Sequence, residues 1–114
     1  MAGQQDRQPI DLVRDARSLL LARLVELAEE VAGEEPPLTV SSIDEAEAAI
    51  RDWQKIPGGT LDEILRMHGM LGQLESASRL SESQARVATA PVLQVAEALQ
   101  QMVDKVRLRK SEAA

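Results

Sequence analysis

The chain is 114 residues long and carries 13 Lys and Arg against 19 Asp and Glu, a net charge of −6. That length fits one domain, 1–114, and 44% hydrophobic with 28% charged residues is the balance of a chain that folds. No Cys, Phe or Tyr and a single Trp exclude a disulfide scaffold, a cysteine metal site, thiol chemistry and an aromatic base-stacking surface.

Residues 1–8 are polar and small, without period, and read as a frayed end. Pro9 suits the first turn of a helix, where its missing N–H costs nothing. From there Ile10, Val13, Leu20, Leu24, Leu27 and Val31 recur in steps of three and four, with Arg17 as the one interruption. Leu12, Ala16, Leu19 and Ala28 widen the stripe to a core-facing band. Gly33 and Pro36-Pro37 stop the pattern, so a first helix is expected over 9–32.

After a linker over 33–41, Ser42 and Glu45 have capping-box spacing. Ile43, Ala46, Ile50 and Trp53 then form one face of a short helix, expected over 43–55. Pro57-Gly58-Gly59 ends it, and Thr60 with Glu63 repeats the capping spacing. The next stripe runs Ile64, Met67, Leu71, Leu74 and continues in register through Ser78, Ser81, Ala85, Ala88, Val92, Val95, Leu99, Met102 and Val106. An unbroken register predicts one long helix over 61–109. Pro91 and a Ser81–Gln84 capping pair predict a kink or interruption between 80 and 91. The alternative is two helices, 61–79 and 84–109; on either reading 111–114 is a frayed end. The fold class is all-α, a helical bundle with coiled-coil-like seams, since Ala, Leu, Glu, Gln and Arg dominate and all are strong helix formers.

A continuous 61–109 helix is about 70 Å long, twice the first helix, and leaves 92–106 uncovered. That predicts self-association through Val92, Val95, Leu99, Met102 and Val106, with Trp53 as a further interface candidate. Charge is also clustered. Glu26, Glu29, Glu30, Glu34 and Glu35 gather at the end of the first helix, where negative charge opposes the macrodipole. Lys105, Arg107, Arg109 and Lys110 gather at the end of the last. The two clusters are expected to face each other, within one chain or across a dimer.

Chemistry-bearing motifs are sparse. His68 is the only histidine, with no HExxH and no second His to complete a metal site. Pro57-Gly58-Gly59-Thr60 lacks the Lys and the strand of a phosphate loop. Gly69, Gly72 and Ser76 form a small-residue strip against which another helix can approach closely. The stretch from Ile10-Asp11 through Arg23 to Leu27-Ala28 and Val31 resembles the first helix of all-helical chorismate mutases. That resemblance implies a dicarboxylate held between helices, with Arg14, Arg17 and Arg23 as its ligands. Where that family carries a lysine, however, this chain runs Gly33-Glu34-Glu35-Pro36, which would repel such a substrate.

The expectation is therefore a non-enzymatic helical interaction or assembly module, such as an adaptor, chaperone or scaffold subunit. It needs no cofactor and no metal, and its partner is itself and possibly another protein. Neither nucleic acid nor membrane is expected, and the location is cytoplasmic. The alternatives are an acidic mimic that docks on a basic surface, or a small helical enzyme with an Arg-lined pocket.

Overall fold

The computed structural model describes residues 8–32, 42–77 and 79–113. They form four helices, α1 Pro9–Ala32, α2 Ile43–Trp53, α3 Gly58–Glu75 and α4 Glu82–Ala113, with no strand among the described residues. The protein is an all-α bundle.

α1 has the bounds its periodicity predicts. Gln8 precedes it and donates its backbone N–H to the Asp11 carboxylate at 3.0 Å, satisfying the amide at the helix entrance. Val13, Leu20, Leu24 and Leu27 are fully buried, with Ala16 and Ala28 beside them. At the start of α2 the Ser42 hydroxyl accepts the Glu45 N–H at 3.2 Å, as the spacing predicts. The helix stops at Trp53 because Gln54 turns left-handed (φ 61°) and donates its N–H to the Arg51 carbonyl. Ala46 and Ile50 face the core.

Three expectations about the second half need correction. α3 begins at Gly58 behind Pro57, whose carbonyl accepts the Leu61 N–H at 3.0 Å, so Thr60 lies inside the first turn and caps nothing. Its expected partner Glu63 instead pairs with Arg66. The chain takes the alternative of two helices, and the break falls between Glu75 and Glu82, mostly ahead of the 80–91 window. There Ser81 and Gln84 form a reciprocal capping box: the Gln84 N–H reaches the Ser81 hydroxyl at 3.0 Å and the Ser81 N–H reaches the Gln84 side chain at 2.9 Å. Pro91 breaks nothing and sits inside α4, which continues to Ala113. Proline removes the N–H that the Val87 carbonyl would accept. Both residues lie on the exposed side of α4, where water can take that carbonyl's bond.

α1 is the hub. It packs against all three other helices, most extensively against α4, whereas α3 and α4 touch each other little. Ion pairs fix the directions. Glu75 at the end of α3 meets Arg17 near the start of α1, so those helices are antiparallel. Arg107 near the end of α4 meets Glu30 near the end of α1, so those two are parallel. Arg51 of α2 reaches Asp62 of α3 across the turn between them. The molecule measures 49 × 33 × 21 Å. Its length is that of α4, 32 residues at ~1.5 Å each, and its thickness is two helix diameters.

Candidate functional site

The region 92–106 is not an uncovered seam. With the chain broken at 76–81, α4 turns back alongside α1, and Val92 and Leu99 are fully buried in the chain's own core. Val95, Met102 and Val106 pack partly against the same core. Ala96 and Val103, one residue off the expected stripe, are buried with them. Trp53 is half-buried and lines a shallow groove with Val31, Ala49 and Asp52 between α1 and α2.

The charge clusters meet within one chain. Arg107 binds Glu30 at 2.9 Å and Glu26 at 3.4 Å, and Lys110 binds Glu30 at 3.2 Å. The Lys110 ammonium also donates to the Glu30 main-chain carbonyl, one of the last four of α1 and without an intrahelical partner. α4 thus caps α1 from outside and supplies the positive charge that its acidic C-terminal end lacks. The bond from Arg107 holds the Glu30 carboxyl below its ordinary pKa, against some opposition from burial and with help from Lys110. Glu29 is half-buried beside them, Lys105 and Arg109 are exposed, and Glu34 and Glu35 lie outside the described residues.

The apolar surface that remains open is elsewhere. Val87 is 73% exposed, Leu93 48% and Met70 42%. Between α3 and α4, close to the 76–81 turn, Met70, Leu74, Val87, Ala88 and Pro91 line a groove of about 490 Å³, with Ser83 and Gln84 as its polar edge. Among the described residues no charged side chain lines it. The groove exists because α3 and α4 each pack on α1 and diverge from each other. Sequence reasoning missed it because it followed the stripe. The available signal was the apolar residues that fall off the stripe, Met70 beside Leu71 and Val87 beside Ala88.

A second, polar cleft of about 200 Å³ lies between α1 and α3, lined by Arg14, Arg17, Ser18, Leu21, His68 and Glu75. Arg17 interrupts the apolar stripe of α1 to reach Glu75 at 2.7 Å, and Arg14 stands 3.7 Å from the same carboxylate. Burial first, and then the Arg17 charge, push the His68 pKa below its ordinary value, while Glu75 opposes them. Gly72 receives a side chain here rather than a helix backbone: a Cβ at that position would sit 3.4 Å from the Arg17 guanidinium. Arg23 turns away to Glu26, so the three arginines do not converge.

Among the described residues no group of three or more His, Asp or Glu side chains is arranged to hold a metal ion, and no helix is long and apolar enough to cross a membrane. Compared with protein-family models, with curated proteins and with solved structures, the chain matches none.

Proposed function

We propose that the protein is a non-enzymatic helical interaction or assembly module of the cytoplasm, and that it associates with a second copy of itself through the α3–α4 groove. The observation that carries this reading is the open apolar surface of Met70 and Val87 on a groove they line with Leu74, Ala88 and Pro91. A lone exposed apolar residue is ordinary, but a contiguous set beside a concavity is the usual mark of a contact surface. The acidic-mimic reading loses ground because Glu26 and Glu30 are already neutralised by Arg107 and Lys110.

The test compares two charged substitutions by light scattering on a sizing column and by thermal melting. Val87→Glu is expected to return an associated species to the 12.4 kDa monomer with an unchanged melting temperature. Leu99→Glu is expected to unfold the chain, because it places an unpaired charge in the core. A wild type that stays monomeric at high concentration, or a Val87→Glu variant of unchanged mass, would defeat the proposal.

A further inference from the structure

The outer face of α4 carries a pattern that the groove does not explain. Over 83–103 only two side chains are charged, Arg86 and Glu97. They share one face of the helix with Ala90 and Leu93, which lie between them in steps of four, three and four. All four residues are exposed, Leu93 among them at 48% although it is large and apolar. Within the chain Arg86 has a loose contact with Glu82, at 3.6 Å and well exposed on both sides. Among the described residues Glu97 has no ion pair.

The order Arg, Ala, Leu, Glu complements its own reverse. When two copies of α4 run antiparallel about a two-fold axis between Pro91 and Val92, Arg86 stands opposite the partner's Glu97 and Leu93 opposite the partner's Ala90. Each pairing occurs twice, as a contact between identical surfaces requires. The large side chain meets the small one, so Leu93 enters the space over Ala90 as a knob enters a hole. A parallel pair has none of this. There Arg86 faces Arg86 and Glu97 faces Glu97, and like charges repel at both ends of the stripe.

We propose that two copies of the chain pair α4 against α4 in antiparallel fashion, with Arg86 and Glu97 setting direction and register and Leu93 seated on the partner's Ala90. This rests on the association reading and specifies its geometry. Val87 follows Arg86 and Gln94 follows Leu93, so both flank the stripe on the side of the α3–α4 groove. The second copy's α4 runs along the lip of the groove and covers Val87.

Charge reversal in the full-length chain tests the register. In a pair of identical chains Arg86→Glu sets acids opposite each other, and Glu97→Arg sets bases opposite each other. Each variant alone is expected to associate more weakly than the wild type at low salt, by about tenfold or more, since two attractive contacts become two repulsive ones. Both should keep the wild-type helical circular dichroism, because both positions are exposed. An equimolar mixture of the two should recover the wild-type affinity, because in the mixed pair every acidic position faces a basic one. Net charge does not mimic that recovery, since the wild type stands at −6 and both variants stay negative. The double variant Arg86→Glu/Glu97→Arg should likewise associate with itself as the wild type does, which keeps the test open if one single variant folds poorly. Single variants that associate as tightly as the wild type, or a mixture and a double variant no tighter than the single ones, would overturn the register. Loss of association in Val87→Glu would in that case still uphold the groove, whereas a monomeric wild type would end both readings.

Discussion

Glu30 ties the end of α1 to the end of α4. Its carboxylate binds Arg107 and Lys110, and its carbonyl is capped by Lys110. Its folded-state pKa lies below the ordinary value of 4.5, chiefly through the Arg107 bond. The folded chain therefore binds fewer protons there than the unfolded chain. The stability this supplies is present in full above 4.5 and is lost as pH falls through the folded value. Urea unfolding of the wild type should lose stability between about pH 5 and 3 more steeply than Glu30→Gln does. Equal slopes would mean the pairs are too well solvated to matter. Burial and Arg17 depress the His68 pKa, so protonation below 6.5 also costs stability.

At the scale of helices, Pro91 and the 76–81 turn show which local signals win. Ser81–Gln84 is a start signal that the backbone obeys, because it satisfies two amides that would otherwise have no partner. Pro91 is a stop signal that the backbone overrides, because Ala85 and Thr89 before it and Val92 and Ala96 after it are all held on the core face. Pro91→Ala restores the Val87 carbonyl's partner and should raise stability by about 1–3 kcal/mol, read from the urea midpoint at unchanged slope. A neutral or destabilising result would mean that proline packing in the groove outweighs the regained bond. The ends of α1 and the face of α2 were legible because caps and apolar steps are local. The break was not, because the turn brings the stripe back nearly in phase: Leu71 before it and Ala85 after it are in the core, and Leu74 and Ala88 pack against it. A preserved register is therefore no proof of a continuous helix. The cover over 92–106 was equally hidden, since it comes from residues about eighty positions earlier, as the 77-residue separation of Glu30 and Arg107 shows. Of the candidate site, the charged residues were legible as clusters, and Glu26 and Glu30 meet Arg107 and Lys110 as expected. The groove was not legible, because it depends on how far two helices diverge after packing on a third.

On the scale of the molecule, stability depends on one helix. α2, α3 and α4 are joined chiefly through α1, so damage to its buried stripe reaches all of them. Leu24 is fully buried at the middle of that stripe. Leu24→Ala should cost about 2–5 kcal/mol. Helical circular dichroism and Trp53 fluorescence should then melt together at the lower temperature, since no pair of the remaining helices holds alone. Separate transitions for the two probes would show that α3 and α4 form a unit without α1.

The parallel pairing of α1 with α4 also sets an order of events in time. α1 is made first, and the helix that packs on it most extensively is made last. Arg107 follows Glu30 by 77 positions, a delay of roughly 4–15 s at the usual pace of synthesis, ~5–20 residues per second. For that interval Leu20, Leu24 and Leu27 are open to any other apolar surface in reach. This helical protein thus carries a burden more familiar from β-sandwiches, in which distant parts of the chain must meet before either is safe.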